Sequence, residues 1–217
     1  MKSTPMITAD TLSCFRHDQA LFCELSFSCA PGDILHIIGP NGCGKSTLLQ
    51  ILAGLMPPQQ GRVCWSGADI QAVASHYRSQ LFYLGHKTGV KASLTVWGNL
   101  QHTAQLLPVK AGLSWDDILA WFQLQPLRDR LCQHLSAGQR QRVALSRLLM
   151  TSAPLWILDE PFTALDMDTV VLLKQLILRH TEQGGMVVLT SHHQLHFPGA
   201  ALKALRLGDN DKIGSVY

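Results

Sequence analysis

The sequence is short of charge. Lys, Arg, Asp and Glu make up 15% of its 217 residues, and the net charge is only +3. A charge that weak leaves no electrostatic footprint for nucleic acid. Long apolar runs are missing too. Although 47% of residues are hydrophobic, no stretch approaches the length of a membrane span. The N-terminus MKSTPMITADTLS has no hydrophobic signal region, so the chain is expected to stay in the cytoplasm. Cysteine pairs are absent as well. The six cysteines (Cys14, Cys23, Cys29, Cys43, Cys64 and Cys132) are scattered without a C-x-x-C. That spacing argues against zinc and for free thiols filling small apolar positions. With no long linker, internal repeat or low-complexity tract, the chain has ample mass for a single core.

What is there is a series of short apolar elements. Met6–Ser13, Leu21–Cys29 and Asp33–Ile38 read as strands. The alternation Leu25, Ser26, Phe27, Ser28 suggests a half-exposed strand, and Ile34–Ile38 a buried one. A helix is expected from Ser46 to about Ala53, closed by Gly54 and the pair Pro57, Pro58. Gly61–Ser66 and Leu81–Leu84 are further short strands. From about Thr95 to Met150 the pattern is helical. Leu155–Leu158 and Met186–Leu189 are nearly all apolar, as strands in the middle of a covered parallel sheet are. A helix over Asp168–Thr181 between them makes a βαβ unit. The expected organisation is a mixed α/β core, about 1–92 and 151–217, with a helical insert at about 93–150.

Gly39, Pro40, Asn41, Gly42, Cys43, Gly44, Lys45, Ser46 and Thr47 form a complete G-x-x-x-x-G-K-[ST] loop. It follows an apolar strand and opens a helix, the context in which such a loop cradles phosphates. The glycines let backbone N–H groups point inward. Lys45 is placed to neutralise β- and γ-phosphate charge, and the Ser46 hydroxyl to ligate Mg²⁺. The strand LWIL ends in Asp159 and Glu160. Two acids at the carboxyl edge of a sheet sit where α/β ligands bind. Asp159 is the candidate Mg²⁺ ligand, and Glu160 the candidate base for an attacking water. Thr190, Ser191 and His192 end the next apolar strand at the same edge, which makes His192 a candidate contact for the γ-phosphate.

One stretch is ambiguous. LSAGQ, residues 135–139, runs straight into an apolar-periodic helix. A glycine before a helix often marks an anion seat, yet no Lys-Ser or Lys-Thr follows. Ser136 and Gln139 also fit the S-x-x-Q capping box.

In order and spacing, the phosphate loop, LSAGQ, LDEP (residues 158–161) and SH (191–192) resemble the ABC ATPases over essentially the whole chain. The resemblance implies a P-loop α/β fold with an antiparallel β-subdomain and an inserted helical subdomain. It further implies ATP and Mg²⁺ as ligands, and a head-to-tail homodimer holding two ATPs between subunits. Gly39–Thr47 matches the P-loop, and Ser136, Ala137, Gly138 and Gln139 match the signature that closes on the other subunit's ATP. Asp159 and Glu160 match the acidic pair, His192 the switch histidine, and Asp166 the loop that communicates across the dimer. Isolated monomers should therefore hydrolyse ATP poorly.

Three positions depart from the family pattern. Arg16, or Phe15 or His17 beside it, falls where an aromatic residue usually stacks on adenine, and an arginine can stack by cation–π contact. His86 stands where a glutamine usually touches Mg²⁺ and the water, and could orient that water. Ala137 replaces one of the two signature glycines. With GHKTGVK (Gly85–Lys91) and LTVWGNL (Leu94–Leu100), these departures are similar to the heme-exporting ATP-binding subunits of cytochrome c maturation. That likeness implies integral membrane permease partners and a peripheral place on the cytoplasmic face of the bacterial inner membrane. The insert, which holds Trp97, Trp115 and Trp121, would dock their helices. It implies no direct heme site in this chain, despite ten histidines. The competing readings are a motor for another importer or exporter, and a soluble ABC ATPase acting on nucleic acid or ribosomes. The last calls for tandem domains or a long coiled-coil insert, which this sequence lacks.

Overall fold

Two four- and five-residue strands, LWIL and MVVLT, are buried along their full length and lie at the middle of a parallel sheet. The computed structural model describes residues 6–16, 19–106, 110, 112, 114–192, 195–200 and 202–208. The chain divides into two compact units.

The first unit holds residues up to Tyr83, together with Ala153–Glu160 and the chain from Leu178 on. Its larger sheet has the order β6(Leu81–Leu84), β7(Leu155–Leu158), β8(Met186–Thr190), β3(Ile34–Ile38), β9(Leu202–Arg206). Pairs β7·β8, β8·β3 and β3·β9 are parallel. The smaller sheet is antiparallel, in the order β2(Gln19–Cys29), β1(Ile7–Arg16), β4(Gln60–Trp65), β5(Ala68–Asp69). Helix α1(Lys45–Leu52) sends Leu48, Leu49, Ile51 and Leu52, all fully buried, into one core cluster with residues of both sheets. Each such side chain contributes roughly 1.5–3 kcal/mol of burial. The parallel sheet gives Leu35, Ile37, Leu155, Ile157, Met186, Val188 and Leu205 to the same cluster.

The second unit holds Leu84–Ser152 and Pro161–Ile177. It thus begins before residue 93, and it takes in the loop after the acidic pair and the first part of α6(Met167–Glu182). Its other helices are α3(Val96–Leu106), α4(Trp115–Trp121) and α5(Ala137–Met150). Buried Asn99 stitches the segment before α3: it donates to the carbonyls of Lys91 and Thr95 and accepts from the Lys91 amide. Among the described residues no helix is long and apolar enough to cross a membrane.

Several expected elements shift. The first strand continues past Ser13 to Arg16, across irregularities in its register with β2. The α1 helix begins one residue earlier, at Lys45. Strand β5, the short helix α2(Ala74–Ser79) and strand β9 were not expected. His17 lies outside the described residues.

Candidate active site

The phosphate loop leaves β3 at Ile38 and enters α1 through Gly44. Gly44 sits at φ +100°, a left-handed N-cap, and a Cβ there would come within 3.0 Å of Leu21 Cβ. Only glycine adopts that geometry without strain. A glycine cap brings no side-chain acceptor, and the first turn of α1 contains no acid. The free N–H groups at this helix start are therefore offered to an external anion. Lys45 is buried, and its amine donates to the carbonyls of Gly39 (2.7 Å) and Pro40 (3.0 Å). The charge is thus held over the loop. Ser46, the second helical residue, is exposed, and Cys43 within the loop is half-buried with a free thiol.

The acids follow β7. Asp159 is only 4% exposed, and its Oδ1 accepts a hydrogen bond from the Thr190 hydroxyl at 2.8 Å. The Glu160 amide in turn donates to Thr190 Oγ1 at 2.9 Å. Glu160 has φ +51°, a left-handed conformation costing a side-chain-bearing residue on the order of 1 kcal/mol. Its carboxylate lies against His192: Oε2 accepts from the backbone amide at 3.3 Å, and buried Oε1, which has no hydrogen-bond partner among the described residues, lies 3.3 Å from Nε2. Tyr83 on β6 faces Asp159. Burial first, and that carboxylate second, push its phenol above the usual value. The P-loop, the acidic pair and His192 thus emerge from β3, β7 and β8, adjacent strands of one sheet. The sequence reading placed Thr190 at the strand end but not as the link between Asp159 and Glu160. Its signal is parity: Leu158 is paired with Leu189, so the next residues of both strands share a face.

The signature lies in the second unit. Both capping-box bonds are present: Gln139 N donates to Ser136 Oγ at 3.1 Å, and Ser136 N donates to Gln139 Oε1 at 2.9 Å. A Cβ on Gly138 would meet the Ala164 carbonyl oxygen at 2.5 Å. Ala137 is the first helical residue of α5. A cavity of about 190 Å³ is lined by Ser136, Gly138, Gln139, Arg142, Ala164 and Asp166, among others. Asp166 accepts from Thr169 N at 2.8 Å, like an N-cap to α6. The hydroxyl and amide of Thr169 hold its carboxyl below the usual range. Arg142, unremarked in the sequence, joins this cavity from the second turn of α5.

Arg16 is exposed at the end of β1, paired with Gln19. His86 is exposed in the loop after β6. Trp97 packs edge-on against Trp115, with the Arg128 guanidinium 4.4 Å above its ring, and Trp121 ends α4.

Comparison with known proteins gives a consistent result. The family model described as "ABC transporter" matches residues 22–163. The cytochrome c biogenesis ATP-binding export protein CcmA of Dechloromonas aromatica is 42% identical, over 94% of this chain and 100% of its own. The protein of the same name from Hahella chejuensis is 44% identical, over 94% of this chain and 97% of its own. Among solved structures, an ATP-binding subunit of an ABC transporter superposes with TM-score 0.79 at 25% identity, covering 93% of this chain and 85% of that one. A dimeric ATP-binding cassette with ADP and phosphate shares the fold, with TM-score 0.75 at 22% identity over 93% of this chain and 94% of that one.

Proposed function

Because this chain belongs to the ABC transporter family of ATP-binding subunits, we propose that it is the ATP-hydrolysing motor of a cytochrome c maturation complex. In that complex it powers heme export or the release of a heme-loaded carrier. Two copies associate head to tail and bind integral membrane permease subunits at the cytoplasmic face of the bacterial inner membrane. The observation that carries the reading is the Glu160–His192 grip on a strand next but one to the P-loop. Identity of 42–44% over 94% of this chain to export proteins named for cytochrome c biogenesis supports the pathway.

The donor set suits Mg²⁺. Ser46 offers an exposed hydroxyl, and Asp159 a buried carboxylate with one hydrogen bond on Oδ1. These are hard oxygen ligands of the kind that ion takes. Ser46 and Asp159 would hold the ion, which would supply neutralisation of the phosphate charge. Lys45 and the N-terminal amides of α1 hold the phosphates. Glu160 takes the proton of the attacking water, whose oxygen bonds to the γ-phosphorus as the β–γ bridging bond breaks. His192 fixes the Glu160 carboxylate and faces the γ-phosphate. Ser136, Ala137, Gly138 and Gln139 of the second copy, with Asp166 nearby, complete the phosphate site. Arg16 stacks on adenine, and His86 orients the water.

Glu160→Gln keeps shape and binding but removes the base. Cells carrying only this variant should lose c-type cytochromes and keep b-type ones. The purified protein should retain ATP in long-lived dimers and lose at least a hundredfold in turnover, the scale of a general base. Turnover near wild type would remove Glu160 from its role. Normal c-type cytochromes alongside a dead ATPase would remove the pathway.

A further inference from the structure

We infer that Thr190 is the positioning residue that couples metal binding to water activation, an inference resting on the roles proposed for Asp159 and Glu160. Thr190 is fully buried at the end of β8. A hydroxyl has a single proton, and here it goes to Asp159 Oδ1 at 2.8 Å. The remaining lone pairs face the Glu160 amide, which donates at 2.9 Å. One oxygen atom therefore touches both acids, each in a different way: it fixes the side chain of Asp159 and the backbone of Glu160.

Both effects bear on the reaction. With Oδ1 engaged by Thr190, the Asp159 carboxylate cannot rotate freely, and Oδ2 is the oxygen left to a cation. Glu160 adopts φ +51°, a conformation that persists only where the surroundings enforce it. The bond from its amide to Thr190 is such an enforcement. The same backbone turn aims the Glu160 carboxylate at His192, whose amide donates to Oε2 at 3.3 Å and whose ring nitrogen lies 3.3 Å from Oε1. Thr190 and His192 are two residues apart at one strand end. The end of β8 and the residues just after it therefore hold Glu160 twice, by the amide at Thr190 and by the carboxylate at His192. Displacing either acid through Thr190 disturbs the other, because they share one hydroxyl.

The test compares Thr190→Val, Thr190→Cys and Thr190→Ser in the full-length protein. The measurements are kcat, the Mg²⁺ concentration for half-maximal activity, binding of a fluorescent ATP analogue and Tm. Valine keeps the shape but leaves two buried polar groups unpaired, the condition in which a lost hydrogen bond is most damaging. The expected kcat order is Thr close to Ser, above Cys, above Val, with Val down roughly ten- to a hundredfold. The half-maximal Mg²⁺ concentration should rise several-fold in Val and Cys. Analogue binding should stay within about twofold, because the P-loop supplies most of it. If valine does not fold, cysteine, with its weak S–H donor, carries the comparison. Wild-type kcat and Mg²⁺ dependence in folded valine or cysteine variants overturn the inference. So does a kcat loss that serine does not restore, or a Tm change alone. Glu160→Gln in the same assay separates the two levels. If it is inactive while the Thr190 variants are normal, only this inference fails. If it is active, the reading of the acidic pair fails with it.

Discussion

His36 lies in the middle of β3 with 4% of its surface exposed, and its Nε2 is 3.4 Å from the Ser191 carbonyl. A ring nitrogen facing a carbonyl donates, so the neutral tautomer carries its proton there. Burial pushes the imidazole below its ordinary value of 6.5, and the bond to Ser191 only partly offsets this. The linkage sign follows. Below about pH 6.5 the unfolded chain takes up a proton that the native protein resists, so stability present above that value is lost as pH falls. Thermal unfolding should show wild type losing more Tm between about pH 7.5 and 5.5 than His36→Gln loses. Equal losses would clear His36 of the effect. The burial of His36 was legible in its apolar neighbours. The link from Thr190 to Asp159 and Glu160 was not, because it depends on the register of β7 with β8, and a slip of one residue would turn the hydroxyl to the other face. The candidate residues Lys45, Ser46, Asp159, Glu160 and His192 could be proposed from sequence because phosphate chemistry restricts residue type and spacing together.

Among the elements, α5 shows two uses of one helix start. Its capping box is formed, and the signature reading also requires these residues for phosphate. The capping bonds engage Gln139 N and Ser136 N, so Ser136 has a measurable structural role apart from catalysis. Ser136→Ala should lower stability by about 1 kcal/mol, read from denaturant midpoints at unchanged m-value. Unchanged stability would mean that the cap is idle. Elements with a strong period or an unbroken apolar run were readable: β6 and β7 fall where the sequence places them. Those held by distant partners were not. Strand β9 reads LKALR, with Lys203 and Arg206 interrupting the run. It is a strand because it pairs with β3 and because Lys203 reaches Asp33 at 2.6 Å. Helix α2 has six residues and no apolar stripe, and it is pinned by the Tyr77 hydroxyl donating to the Leu52 carbonyl. The outer end of β1, Cys14–Arg16, was not legible because its pairing with β2 shifts register between Leu12 and Cys14 and between Cys14 and Phe15.

For the whole molecule, the proposed head-to-tail dimer makes hydrolysis a property of concentration. In that dimer each chain would supply the P-loop of one site and the signature of another. Turnover per chain should therefore rise with protein concentration and collapse on dilution, in step with the dimer fraction measured by light scattering. A flat specific activity over a range in which the dimer dissociates would rule out shared sites. One further property belongs to the folded chain alone. Trp156, three residues before Asp159 on β7, stacks flat on His180 with ring centroids 3.7 Å apart and planes within 5°. The His180 Nε2 faces the Pro154 carbonyl at 3.2 Å, on the same strand entrance. An indole in van der Waals contact with an imidazole has its emission quenched, most strongly when the imidazole is protonated. Of the five tryptophans in the chain, this one should therefore be quenched while the stack holds and brighten when it parts. The strand bearing the acidic pair carries its own optical gauge, readable without any label.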